Sequence, residues 1–137
     1  MRKILSIVSG GIIATGLGLP AQAHHAVQAT VDIDTTISAE AILTDVDWIN
    51  PHTWMRFDIV HNGVVTQQNV LIESLGISGL RLLGIDSKSA LQVGEKFKIQ
   101  YNPNRDGQPG GFLTGLIMPD GRTLDIKSTD PNAFRPR

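Results

Sequence analysis

The sequence has no cysteine, few aromatic residues and one long apolar run, which lies at its start. Its 137 residues include one tyrosine and two tryptophans, and aromatic residues make up 5% of the chain. The lack of cysteine excludes a disulfide framework, a lipid-anchored cysteine and a catalytic thiol. Stability must therefore come from an apolar core, and a domain of this length is large enough to bury one.

The apolar run has the pattern of a secretory signal peptide. Arg2 and Lys3 precede an apolar stretch over residues 4–19, and Ala-Gln-Ala follows at 21–23. A positive start, an apolar centre and an Ala-x-Ala motif are typical of such peptides. We predict cleavage after Ala23, a periplasmic or secreted protein, and no membrane span after cleavage.

The charge of the exported chain argues against nucleic acid as a partner. Cleavage removes Arg2 and Lys3 from the 12 basic residues and leaves all 13 acidic residues, so the net charge becomes −3. The remaining basic residues are scattered among carboxylates, whereas nucleic-acid binders carry a basic patch. We expect no nucleic-acid binding.

Alternating apolar and polar residues predict an all-β domain after an N-terminal arm. One face is shared by Ile37, Ala39, Ala41 and Leu43, and Val46 and Trp48 continue on the other parity. A change of phase of this kind indicates a β-bulge in a long, bent strand. The predicted divisions are a signal peptide at 1–23, a flexible arm at 24–36, the β domain at 37–127 and a frayed tail at 128–137.

Turn residues divide the rest of the domain into strands and one short helix. Asn50-Pro51 ends the first strand, and Asn62-Gly63 is a strong hairpin signal between the second and third strands. Ser78 is the predicted cap of a short helix that ends at Gly84. Three further strands are predicted around 96–101, 112–118 and 123–127.

This order predicts the fold class. A long bent strand, two more strands, a short helix and two or three final strands match a small OB-like five- to six-stranded Greek-key barrel. An immunoglobulin-like sandwich accounts for the number of strands, but it does not account for the helix.

Two histidines at the predicted mature start point to copper. After cleavage His24 carries the free α-amine and His25 follows it, so several nitrogen ligands lie at one chain end. Nitrogen-rich tetragonal sites suit Cu(II) or Ni(II), of which copper is the leading hypothesis, and the amine loses its proton readily near neutral pH. His52, after Asn50-Pro51, is the predicted third ligand.

Other interpretations of these histidines stay open. Cleavage after Ala21 would place His24 third, where amine, amides and imidazole hold Cu(II) without a fold. The alternative for His52 is a structural role, in which it donates a hydrogen bond to a neighbouring carbonyl or caps its turn. His61 is expected to be exposed and to have no function. Glu73 is either a metal ligand or, preferably, the cap of the following helix.

A second set of residues predicts a metal-free binding surface. Trp54 and Asn50 flank the Pro51 turn, and Asp106 and Gln108 lie in a Gly- and Pro-rich loop over 104–111. An exposed tryptophan beside such loops can contact an envelope protein or a small ligand. The favoured interpretation of Trp54 is nevertheless that it covers the end of the barrel, and Trp48 is expected to be buried.

Catalytic signatures are missing from the sequence. It contains no cysteine nucleophile, no Gly-x-Ser-x-Gly elbow and no His-Glu-x-x-His motif. Asp45 and Asp47 lie two apart on one strand, as expected for its solvated side. We therefore predict a binding or accessory module and not an enzyme.

One stretch resembles a known family. Val-Asp-Trp-Ile-Asn-Pro-His at 46–52, with the His-His pair at 24–25, is similar to the exported bacterial proteins catalogued as domain of unknown function 6152. This chain departs from the family at Ala26-Val27, where a Ser-aromatic pair is usual. The resemblance implies export and a small β-barrel, and it implies no activity. Further similarity lies at 72–73, 79–80, 91–95, 106–111 and 119–121.

Overall fold

The computed structural model describes residues 29–85 and 88–126. Within these ranges the chain forms six strands, a short α-helix and a 3-10 turn, and residues 29–30 are also helical. Their bounds are β1 Ile37–Asp47, β2 Trp54–His61, β3 Val64–Glu73, α1 Ile77–Leu82, the 3-10 turn Lys88–Ala90, β4 Lys96–Pro103, β5 Gly111–Ile117 and β6 Thr123–Asp125. The predicted signal peptide at 1–23 and the predicted tail at 128–137 lie outside the described residues.

The strands form a ring. Antiparallel pairing gives the order β3-β2-β1-β4-β5-β6, and a short parallel pairing of β3 with β5 joins the two sides. This pairing consists of Ile72 with Gly111 and Glu73 with Phe112. The prediction of an all-β fold with one short helix between the third and fourth strands is confirmed.

The bulge predicted in β1 lies at Thr44. Leu43 is opposite Phe57, and the next paired residue, Asp45, is opposite Arg56. The hydroxyl of Thr44 donates a hydrogen bond of 3.1 Å to the Arg56 carbonyl oxygen. The extra residue lets β1 bend while its apolar side chains stay on the inner face.

The inner face of the ring and one side of α1 form the core. Its larger fully buried side chains include Phe57, Phe97, Met55, Ile72 and Leu80. Removing a side chain of this size from water contributes roughly 1.5–3 kcal/mol. Burial of these residues therefore supplies the stability that a chain without cysteine cannot obtain from cross-links.

The helix α1 ends as predicted but begins differently. Gly84 has a φ of 90° and donates to the Arg81 carbonyl, and Ile85 donates to the Leu80 carbonyl. This is a Schellman motif, in which glycine accommodates the left-handed residue. The predicted Ser78 cap is wrong, because the helix starts at Ile77 and no side chain caps it.

The described part of the predicted arm packs onto the ring. Val31 is 2% exposed and forms a β-bridge with Asn104. The Arg105 amide donates to the Thr30 carbonyl at 2.9 Å, and the Asp32 amide donates to the Pro103 carbonyl at 2.8 Å. The chain therefore enters the fold beside the start of the β4–β5 loop.

No helix within residues 29–85 and 88–126 is long and apolar enough to cross a membrane.

Candidate functional site

The turn between β1 and β2 is fixed to the connection between β3 and α1. The Thr53 amide donates to the Leu75 carbonyl at 3.2 Å, and the Ser74 amide donates to the Thr53 carbonyl at 2.8 Å. A Cβ at Gly76 would overlap the carbonyl oxygen of Pro51. We call residues 50–53, together with 73–76, the Pro-His corner; its Asn50-Pro51 peptide bond is cis.

His52 contacts a carboxylate within this corner. Its Nδ1 lies against Oε1 of Glu73, and the two side chains are 25% and 15% exposed. Within residues 29–85 and 88–126, Nε2 of His52 makes no hydrogen bond, so this nitrogen is the one available to a ligand. The preferred prediction for Glu73, a helix cap, is wrong, because its carboxylate contacts His52 and α1 has no side-chain cap.

Trp54 lies in a row of side chains across three strands. It is directly opposite Asp47 of β1 and Glu73 of β3, so the three residues share one face of the sheet. Trp54 is half-buried, and Trp48 packs against the core. The row thus presents an indole between two carboxylates beside His52.

The β4–β5 loop is organised by its own polar groups. Oδ1 of Asp106 accepts a hydrogen bond of 3.0 Å from the Gln108 amide, and the Asn104 side chain donates to the Gln108 carbonyl at 3.3 Å. The side chains of Asp106 and Gln108 are exposed. At its end, Gly110 lies against the carbonyl oxygen of Leu71 in β3.

The structure brings together part of the predicted site. His52, Trp54 and Glu73 lie side by side, with Asn50 exposed at the same corner, and the Asp106 loop adjoins β3 two residues before Glu73. His24 and His25 lie outside the described residues. Among those that are described, no three His, Cys, Asp or Glu side chains form a group able to hold a metal ion.

Two features of the corner were not foreseen from sequence. One is the contact between His52 and Glu73. The other is a pair of buried hydroxyls, on Thr53 and Ser74, that make no hydrogen bond with a described residue. Both hydroxyls are fully buried beneath the turn. The hairpin indicated that the end of the third strand returns to the start of the second, but it did not indicate which residue lies opposite Trp54.

Comparison with protein families gives one match. The model described as a family of unknown function (DUF6152) matches residues 13–113. This range contains His24, His25 and the Pro-His corner, together with the loop carrying Asp106 and Gln108. No curated protein and no solved structure matches the chain.

Proposed function

The chain belongs to the family of unknown function DUF6152, and we propose that it is an exported binding module that holds one Cu(II) ion. The proposed ligands are the α-amine and imidazole of His24, exposed by cleavage after Ala23, with His25 and His52 completing the set. All of these ligands are nitrogens, which Cu(II) prefers in tetragonal geometry.

The contact of His52 with Glu73 is the observation that carries this proposal. A metal-binding histidine commonly donates its second ring N–H to a carboxylate, which fixes the tautomer, orients the ring and makes the ligating nitrogen more basic. In this chain Glu73 occupies the Nδ1 side of His52. The Nε2 atom is therefore oriented as a ligand before any metal arrives.

The path of the chain supports the same ligand set. Thr30 accepts a hydrogen bond from Arg105, at the start of the loop whose end lies against Leu71. Leu71 is two strand residues, about 7 Å, from Glu73. The six residues from His24 to Thr30 span up to roughly 20 Å when extended. The chain that carries His24 thus enters the described structure at Thr30, beside the loop that adjoins β3 near Glu73.

The amine ligand sets the pH dependence of the proposed site. An α-amine has an ordinary pKa of about 7.7–8.0, and Cu(II) must displace its proton to bind. Copper affinity is accordingly expected to rise with pH through this range.

The test begins with the exported protein. The full precursor is expressed with its own signal, and the product is characterised by intact mass and Cu(II) titration. We expect a chain that starts at His24 and binds one copper, with binding lost in the His24→Ala/His25→Ala variant. A different start, or binding unchanged in that variant, contradicts the proposal.

A matched pair of histidines isolates the role of the corner. His52→Ala is expected to weaken copper binding, and Glu73→Gln to weaken it about 10- to 100-fold, as is typical when the carboxylate partner of a ligand is lost. His61→Ala, at the exposed hairpin, is expected to have no effect. Equal affinities for the His52 and His61 variants would remove His52 from the ligand set.

The row of side chains formed by Asp47, Trp54 and Glu73 supports a second candidate function, that of a metal-free interaction module. The half-buried indole between Asp47 and Glu73 lies near a loop that exposes Asp106 and Gln108, which forms a surface for an envelope protein or a small ligand. On this proposal Trp54→Ala abolishes capture of a defined partner by the purified exported protein, while the His24→Ala/His25→Ala variant keeps it. The reverse result excludes the second candidate.

A further inference from the structure

The turn between β2 and β3 consists of an asparagine followed by a glycine. Asn62 and Gly63 link His61 to Val64, which are opposite each other in the hairpin. Both turn residues have a positive φ, 50° and 78°, as in a tight two-residue turn. Both are also exposed, and nothing beyond the chain neighbours of Gly63 lies within 4 Å of the place where its Cβ would be. We call residues 61–66 the hairpin end.

No hydrogen bond holds either of two groups that can react with each other in this turn. Within residues 29–85 and 88–126, the side-chain amide of Asn62 makes no hydrogen bond, and the backbone N–H of Gly63 donates to no protein group. A backbone N–H without a protein partner is left to solvent. The Gly63 nitrogen is therefore free to approach the Asn62 side chain, and glycine has no side chain to obstruct it.

Two similar steps in the chain, Asp106-Gly107 and Asp120-Gly121, are held by hydrogen bonds instead. The N–H groups of Gly107 and Gly121 each donate to a backbone carbonyl, at 3.2 Å and 2.9 Å. The carboxylates of Asp106 and Asp120 each accept a hydrogen bond from a backbone N–H at 3.0 Å. A carboxylate is also a poorer electrophile than a carboxamide. These two steps therefore lack the freedom of the Asn62 turn.

Three other asparagines of the described ranges have no free nucleophile after them. Asn50 and Asn102 precede proline, which has no backbone N–H. Asn104 precedes Arg105, whose N–H donates a backbone hydrogen bond of 2.9 Å. The side chain of Asn104 also donates to two carbonyls of its own loop.

Asn69 provides the best comparison within the chain, because it shares the backbone and exposure of Asn62. Its φ is 54°, and it is exposed. It precedes Val70, which is 2% exposed and branched at Cβ. The N–H of Asn69 is bonded to Asp58 at 2.9 Å, which fixes the backbone there. The two asparagines thus differ in the residue that follows and in how firmly the backbone is held.

We propose that Asn62 is a site of spontaneous deamidation. The Gly63 nitrogen attacks Cγ of Asn62, and a C–N bond forms. The proton of the Gly63 nitrogen passes through solvent to the side-chain nitrogen, which leaves as ammonia. Water then opens the resulting succinimide at one of its two carbonyls, giving aspartate or isoaspartate. The reaction consumes only water, and it does not depend on copper or on the Pro-His corner.

Either product changes the surface of the hairpin end. Asn62 and Glu40 both line a groove of about 700 Å³ beside the turn. Deamidation replaces a neutral amide there by a carboxylate, which is ionised at neutral pH because aspartate has an ordinary pKa of about 3.9. Isoaspartate also adds a backbone carbon to a two-residue turn whose geometry matches the strands. The modification therefore adds negative charge to the groove and loosens the pairing of His61 with Val64.

Incubation of the purified exported protein in warm, mildly alkaline buffer tests the proposal, because base removes the Gly63 proton. We expect release of ammonia, a mass gain equal to the exchange of an amide for an acid, and later elution from an anion exchanger. Peptide mapping is expected to find isoaspartate at position 62. No modification of Asn62 in the folded protein, under conditions in which the urea-unfolded chain reacts there, overturns the proposal.

Two asparagine variants form a matched pair. Asn62→Gln keeps an amide but requires a larger ring for the same attack, so the modification is expected to be lost. Asn69→Gln is expected to leave its rate unchanged. A mass gain as fast in the Asn62 variant as in the wild type would assign the reaction to another residue and overturn the proposal.

Hydrogen exchange of the separated isoaspartate form measures the effect on the hairpin. Amide hydrogens of His61 and Val64 are expected to exchange faster than in the unmodified protein, and those of the Pro-His corner are expected to be unchanged. Unchanged exchange at His61 and Val64 would contradict the loosening of the hairpin end.

Discussion

The two ends of β2 and β3 are built in opposite ways. At the Pro-His corner β3 joins β5, a turn packs on Gly76, and His52 is fixed by Glu73. At the hairpin end β3 has one paired neighbour in the described structure, and the interior opens into a groove. Closure thus fixes individual donor atoms at one end, whereas lack of closure provides volume at the other.

The largest effect is expected from deleting an apolar side chain at each end. Ile72 is fully buried where the ring closes, and Val64 is 65% exposed at the hairpin. Ile72→Ala should lower the free energy of unfolding by about 4 kcal/mol, and Val64→Ala by less than about 0.5 kcal/mol. Urea denaturation measures both. Similar losses would show that the two ends are equally packed.

A steric test of the corner is expected to give the next largest effect. A methyl group at Gly76 overlaps the Pro51 carbonyl, so Gly76→Ala should cost about 3 kcal/mol because backbone must move. Ser78→Ala, two residues later and exposed, is the control and should be nearly neutral. Thermal unfolding compares the stability of the two variants. A Gly76→Ala variant as stable as the wild type would contradict the close packing of the turn on Gly76.

Removing a hydroxyl group at each end is expected to change stability by a smaller amount, and in opposite directions at the two ends. The Thr53 hydroxyl at the corner is buried without a partner among the described residues, while the Thr66 hydroxyl at the hairpin end donates to the Ile59 carbonyl. Thr53→Val should raise the free energy of unfolding by about 1 kcal/mol, and Thr66→Val should lower it by about 0.5 kcal/mol. A loss in Thr53→Val would reveal a partner for that hydroxyl, such as a buried water.

The smallest effect concerns the packed arm, which belongs to neither end. A hydrogen bond from the Thr35 hydroxyl lowers the pKa of Asp32. Thr35→Val should raise that pKa toward its ordinary value, as followed by NMR titration. Because the folded-state pKa is depressed, the stabilisation is present above the ordinary aspartate pKa and disappears as the pH falls through the folded value. An unchanged pKa would assign the shift to the backbone amides.

Sequence patterns predicted those features of the fold that are determined by residues close to them in the chain. The change of phase after Leu43 located the bulge of β1, and Gly84 located the end of α1 because a left-handed residue there requires glycine. The start of α1 was missed, since it depends on the distant Pro51 turn packing on Gly76.

The partner of His52 could not be read from the hairpin alone. His61 is opposite Val64, and an unbroken ladder from there would place Trp54 opposite Leu71. Two register shifts within the hairpin move Trp54 opposite Glu73 instead. The face of the sheet on which Trp54 lies was predictable from the alternation of residues. The residue opposite Trp54 was not, because it depends on bulges that the sequence does not clearly indicate.

The short junction between β3 and β5 has a consequence for the order of folding. It consists of two residue pairs, separated by 39 positions in sequence, whereas β2 and β3 are joined by a two-residue turn. Contacts between distant residues require loop closure before they contribute, so we expect the hairpins to form early and this junction to form late. In the native protein it should also be the first place to separate. Amide hydrogens of Glu73 and Phe112 should then exchange with solvent faster than those in the middle of β1.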